Sequence, residues 1–91
     1  MVYIQVQHTV EDFQRWKAAF DENASARKAG GGTGKNDILR DAENPNQLVV
    51  LLEWDELGKA RQFAQSQELR EAMQNAGVVG PPTVRFFKPA K

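Results

Sequence analysis

From Val2 to His8 apolar and polar residues alternate, with Val2, Ile4 and Val6 on one side and Tyr3, Gln5 and Gln7 on the other. That is the two-residue period of a half-buried strand. Thr9 then stands where a helix cap belongs, with Asp12 three residues on as the capping-box carboxylate. Phe13, Trp16, Lys17, Phe20 and Ala24 recur at helical spacing, which predicts a helix over residues 10–28 that stops at the glycines of AGGGTGKN. A short strand over 37–41 and the turn Ala42-Glu43-Asn44-Pro45-Asn46 come next. Within QLVVLLEWD, Leu48 to Leu52 form an unbroken apolar run, and a strand that is apolar on both sides must be covered on both sides. Asp55 is placed to cap a second helix with Leu57, Ala60, Phe63 and Ala64 on one face. Ser66 is placed to cap a third, with Leu69, Ala72, Met73 and Ala76, closed by Gly77. Gly80-Pro81-Pro82 straightens the chain into a last strand, TVRFFK, which Pro89 ends.

The order strand, helix, strand, strand, broken helix, strand is the split unit of an α+β, ferredoxin-like βαββαβ fold. It predicts a four-stranded antiparallel sheet with the first and third strands central and the helices on one face, as a single domain over residues 1–91. Val49 and Leu51 point away from Leu48, Val50, Leu52 and Trp54, so the face without helices also carries apolar groups. Burying one such side chain is worth about 2 kcal/mol, and no unassigned segment is long enough to cover them. A second copy of the chain is the expected cover, two sheets meeting face to face as a homodimer.

Composition narrows the function. Twelve Lys and Arg balance twelve Asp and Glu, so no net field gathers nucleic acid or an acidic membrane surface. There is no cysteine, hence no thiolate metal site and no thiol nucleophile. The first residues lack the basic and long apolar parts of a secretory signal, and no run approaches a membrane span; a cytoplasmic protein is expected. AGGGTGKN invites comparison with the phosphate-binding loop, but Ala29 replaces its first glycine and Asn36 its hydroxyl residue. The stretch also follows a helix and precedes a strand, the reverse of a phosphate loop. It reads as a helix-to-strand connection whose first glycine ends the helix in a left-handed conformation.

HTVEDFQRWKAAFDE after the first strand, ILRDAENPNQLVVLLEWD as a hairpin and KARQFAQSQELREAMQNAGVVGPPTVRF at the end resemble the dimeric α+β barrel superfamily, over Val2 to Phe87. The nearest likeness is to its antibiotic-biosynthesis-monooxygenase-like and small cyclase-like members. The resemblance implies a dimeric α+β barrel. The activities the superfamily spans are those of cofactor-free monooxygenases, haem-degrading enzymes, polyketide cyclases, lactone isomerases and stress-response proteins. No histidine lies between Asp55 and Gly77, where a haem-degrading member would carry its axial ligand, so neither haem nor a metal is expected.

His8, the sole histidine, is a candidate general base near neutral pH. Strict alternation puts it on the helix side with Val2, Ile4 and Val6, unless a twist at the strand end turns it to the interior between two sheets. The plainer reading is a structural histidine bonded to backbone. On the opposite side, parity collects Tyr3, Gln5, Gln7, Glu53, Thr83 and Arg85, with Leu51 and Phe87 as apolar walls. Such a mixture suits a small, flat, oxygenated ligand. Glu53 and Arg85 must pair, reach water or meet a ligand. In the catalytic reading, His8, or a polar group among Tyr3, Gln7 and Glu53, supplies the base and Arg85 steadies an enolate; Tyr3, Gln5, Gln7, Leu51, Thr83 and Phe87 bind. Trp16 and Trp54 read as core. Two functions compete: oxygenation or aldol-type cyclisation of a small aromatic or polyketide-like compound without a cofactor, and a non-catalytic small-molecule-binding or stress-response dimer.

Overall fold

Alternation in the first strand continues two residues past His8, because Val10 is a further inward apolar group. In the computed structural model, which describes residues 1–90, strand β1 therefore runs Val2–Val10, with Val10 only 1% exposed. Lys91, the last residue of the expected domain, lies outside the described residues. Thr9 is thus a strand residue, paired with Gln47, and not a helix cap. Asp12 caps instead: its Oδ1 accepts from the N–H of Gln14 at 2.9 Å and of Arg15 at 3.4 Å, starting α1 (Phe13–Glu22). A carboxylate at the cap satisfies two orphan donors that a mid-strand hydroxyl cannot reach.

The expected helix over 10–28 is broken at Asn23. The Asn23 amide side chain donates to the Ala19 carbonyl at 3.1 Å, competing with the backbone ladder, and α2 (Ala24–Gly30) starts afresh. Gly31, with φ of 118°, rather than the first glycine of the cluster, ends α2 in the left-handed region. The following glycines are strand, not loop: β2 runs Gly32–Arg40 instead of 37–41. The reason is Trp54. A Cβ on Gly31 would lie 2.8 Å from Trp54 Nε1 and from Asp55 Oδ1, so the backbone has to pass bare against the indole.

After the turn, β3 (Gln47–Trp54) matches the apolar run. Glu56, not Asp55, occupies the cap position of α3 (Leu57–Ala64); Asp55 pairs with Lys59 at 3.3 Å. Ser66 caps α4 (Gln67–Asn75) as expected, its Oγ accepting from the Leu69 N–H at 3.2 Å, and Gly77 follows with φ of 82°. Strand β4 begins at Val78 rather than Thr83 and runs to Phe87. Its Gly80-Pro81-Pro82 segment is an irregularity in pairing with β1, between the Gln7–Thr83 and Thr9–Val79 pairs. Prolines are tolerated there because β4 is an edge strand.

The sheet order is β2-β3-β1-β4, all neighbours antiparallel. This is the ferredoxin-like α+β layout, with β1 and β3 central. One face, bearing Ile4, Val6, Leu48, Val50, Leu52 and Trp54, is buried against the helices. The other is bare within the chain and exposes Leu39, Val79 and Phe87 at 59%, 50% and 44%. No helix among the described residues is long and apolar enough to cross a membrane.

Candidate functional site

The two faces of the sheet hold two hollows of different character. On the bare face an open depression of about 450 Å³ gathers Tyr3, Leu51 and Glu53 with Gly34, Lys35, Asn36 and Asp37 of β2. Between the sheet and the helices lies a more enclosed, mostly apolar cavity of about 90 Å³. It runs from Ile4, Val6 and His8 on β1, under Trp16 and Phe20 of α1, to Met73 of α4. The smaller space is the better ligand site on chemical grounds. It is walled on both sides by one chain and contains polar atoms with nothing to bond.

Those atoms belong to His8. Strand parity points the imidazole at the helices, where it is 8% exposed and meets the edge of Trp16 with ring centroids 5.6 Å apart. Neither Nδ1 nor Nε2 has a hydrogen-bond partner. The expected bond to backbone is thus absent, and the β4 irregularity lies alongside this position, between the pairs formed by Gln7 and Thr9. Burial pushes the His8 pKa below its ordinary 6.5, because a charged ring has lost water and found no carboxylate in return. A neutral imidazole in an apolar cleft can accept a proton from a ligand, and no bond from the protein fixes which nitrogen does so.

The expected catalytic group is divided by the sheet. His8 faces the helices, whereas Glu53 and Arg85 share the opposite face with Tyr3, Gln5, Gln7, Leu51, Thr83 and Phe87. Tyr3 pairs with Glu53 on β3 and Phe87 on β4; Gln5 pairs with Leu51 and Arg85; Gln7 pairs with Thr83. Their common face is as parity predicts. Glu53 and Arg85 do not pair with each other among the described residues: Glu53 Oε1 accepts from Thr33 Oγ1 at 2.9 Å, and Arg85 is exposed. His8 is therefore separated from both, and of the expected site residues on the open face Tyr3 and Leu51 from the binding set and Glu53 from the catalytic set line one hollow.

Three more groups enter the cavity wall: Phe20, read from sequence only as part of a helical stripe, and Asn23 and Arg27, which sequence did not single out. Phe20 stacks on Trp16 with centroids 5.0 Å apart. Asn23 enters the wall where it breaks the first helix. Arg27, 9% exposed, lays its guanidinium 3.7 Å from the Phe20 ring centroid and donates from Nη1 to the Phe20 carbonyl at 2.8 Å. Spacing held one clue, since Phe20 and Arg27 are two helical turns apart, but the break at Asn23 hides it. Trp16 belongs both to core and to cavity; Trp54 is core, its Nε1 donating to Gly30 O at 2.9 Å and its ring packed on Phe63.

No family model and no curated protein matches the sequence. Solved structures do. A candidate antibiotic biosynthesis monooxygenase of Bordetella bronchiseptica superposes with a TM-score of 0.79 at 14% identity, over 99% of this chain and 97% of that one. SnoaB of Streptomyces nogalater, a cofactor-independent oxygenase, gives 0.76 at 15%, over 99% and 93%. The fold is that of the antibiotic biosynthesis monooxygenase-like proteins. A conserved protein of Methanosarcina mazei Go1 also has it, with a TM-score of 0.72 at 16% identity over 98% of this chain and 92% of that one. At such identities the likeness carries backbone, not residues. In the monooxygenase-like fold, as this chain builds it, the helix-to-sheet cleft is the space that holds an unsatisfied base.

Proposed function

We propose that this protein is an oxygenase of small, electron-rich aromatic compounds that needs no bound cofactor, with His8 as the general base in the helix-to-sheet cavity. The observation that carries the reading is the pair of unpartnered ring nitrogens, because a buried polar group left unpaired costs about 1–3 kcal/mol and is kept where something else bonds to it. SnoaB, a cofactor-independent oxygenase with this fold, supports the class of reaction.

The chemistry follows from a neutral base in an apolar cleft. An activated ring CH2 gives a proton to His8. The resulting carbanion passes one electron to dioxygen, the two radicals combine at that carbon, and the hydroperoxide anion takes the proton back from His8. Loss of water from the CH–OOH group leaves a ketone, so that CH2 and O2 become C=O and H2O. Trp16 and Phe20 flank the ring, and the apolar wall leaves the anion poorly solvated and reactive. The cavity, about 90 Å³ here, is smaller than the roughly 150 Å³ that accommodates benzene. Substrate entry therefore parts the helices from the sheet, and among the described residues α4 is the one helix without a buried residue to hold it. The same base would start an aldol-type cyclisation, and oxygen uptake separates the two.

The bare face supports pairing with a second copy, since Leu39 on β2 and Val79 and Phe87 on β4 are large apolar side chains left exposed there. A binding-only dimer is the second reading. It is favoured by the lack of a carboxylate hydrogen-bonded to His8, which leaves the base without the orienting partner that catalytic histidines usually have. Oxygen consumption with a panel of phenols, hydroquinones and ring ketones, in wild type and His8→Gln, decides between them. Uptake that disappears in His8→Gln supports the oxygenase; ligand-induced thermal stabilisation with no uptake by any compound supports the binding dimer.

A further inference from the structure

Arg27 shares the cavity wall with His8. Its side chain is fixed by one hydrogen bond to the Phe20 carbonyl and by stacking on the Phe20 ring. That bond uses one of five guanidinium N–H groups. Among the described residues the ion pairs are Arg15–Glu11, Lys17–Asp21 and Lys59–Asp55, so Arg27 has no carboxylate at contact distance. Asp21 acts on it only from afar, both of its oxygens being held by Lys17 Nζ at 2.7 and 2.8 Å. Glu68, the carboxylate that α4 brings to the cavity wall, is exposed and does not bond to Arg27. A buried cation without a contact partner is expensive, and stacking on a phenyl ring offsets only part of that cost. Holding the Phe20 carbonyl does not require a charge either, since a neutral amide donates as well.

We propose that Arg27 recognises a negatively charged oxygen on the cavity's ligand, so that the ligand class is aromatic anions, carboxylates or enolates, rather than neutral rings. This rests on the cavity's being the ligand site. The planar fork of a guanidinium matches two oxygens of a carboxylate. It also complements His8: the proton leaves for a neutral base while the charge left behind faces a fixed cation. Burial pushes the Arg27 pKa down and Asp21 holds it up, and the group stays charged at neutral pH.

Single-ring probes ask the least opening of the cavity, and Trp16 in its wall reports their binding by fluorescence. Benzoate is expected to bind wild type about tenfold or more tightly than benzamide, with added salt weakening benzoate alone. Arg27→Gln should remove the preference, while Arg27→Lys, which keeps the charge without the fork, should retain part of it. Should Arg27→Gln fail to fold, the wild-type ratio and its salt dependence decide. Equal binding of the two probes by wild type, or a preference that survives in Arg27→Gln, overturns the proposal. Binding of neither overturns it together with the cavity reading. A charge preference accompanied by unchanged turnover in His8→Gln sinks the base assignment alone.

Discussion

On the helix-covered face of the sheet, β1 and β3 present Ile4, Val6, Leu48, Val50, Leu52 and Trp54, all buried, and His8 is the polar residue set among them. On the opposite face the same two strands present Tyr3, Gln5, Gln7, Leu51 and Glu53, and β4 adds Thr83, Arg85 and Phe87, half-buried or exposed. Polar groups on the open face have water or a neighbour, as Glu53 has Thr33. The imidazole on the covered face has no hydrogen-bond partner among the described residues. Identical alternation thus yields a tolerant surface on one side and, on the other, a single costly exception. A group that folding disfavours at its own position is a better marker of function than a cluster of polar residues that solvent already satisfies.

Truncation should separate the faces most sharply. Trp54→Ala removes a ring that is 0% exposed and its bond to Gly30, and is expected to cost about 3–5 kcal/mol in urea unfolding. Leu51→Asp, on the bare face, is expected to leave the folded subunit intact and to convert dimer to monomer in sedimentation velocity. A Leu51→Asp chain that unfolds instead would show that this face is part of the subunit's own core.

The second effect runs opposite to the usual sign. His8→Leu fills the same space without unpaired nitrogens, and should raise stability at pH 7 by about 1–3 kcal/mol while abolishing turnover. A loss of stability would mean that the ring makes a bond the wild type needs. The pH dependence follows from the same burial. The folded-state pKa lies below the ordinary 6.5, so the unfolded chain takes up a proton first as pH falls. Stability is full above about 6.5 and declines below it, until the folded ring also protonates. His8→Leu should lack that decline, as thermal melts between about pH 7 and 5 would show.

Smaller effects grade the local devices that shape each face. Gly31→Ala forces a side chain into the left-handed region against Trp54 and should cost about 1–3 kcal/mol by the same unfolding measurement. Asp12→Ala should cost about 1 kcal/mol through the lost cap. Lys59→Ala breaks an exposed ion pair with Asp55 and should change stability by about 0.5 kcal/mol or less.

Strand parity was readable directly. VYIQVQH and QLVVLLEW assign every residue to the correct face, His8 among the covered ones, because a sheet admits one period and one buried side. Ser66 and Gly77 were readable as helix ends for equally local reasons. Where pairing between distant segments decides, sequence was silent. The glycines at 30–32 read as a loose connection, and only the close approach of Trp54, together with Phe63, Asp55 and the Arg27 carbonyl, explains why they are bare. Asn23 reads as one helical residue among many, so the break that brings Arg27 over Phe20 is invisible before folding. The expected site drew on Glu53 and Arg85 because the open face displays its polar groups in simple alternation. The cavity under the helices depends instead on side chains from seven elements, and no single periodicity reports it.

His8 is the sole imidazole in the chain, so its ring proton resonance can be followed by NMR without assignment. Titrated in the folded protein, it is expected to have a midpoint below 6.5 and to shift when an aromatic ligand fills the cavity. A midpoint at or above 6.5 with a resonance indifferent to every aromatic tested would contradict an unsatisfied base held ready for a ligand.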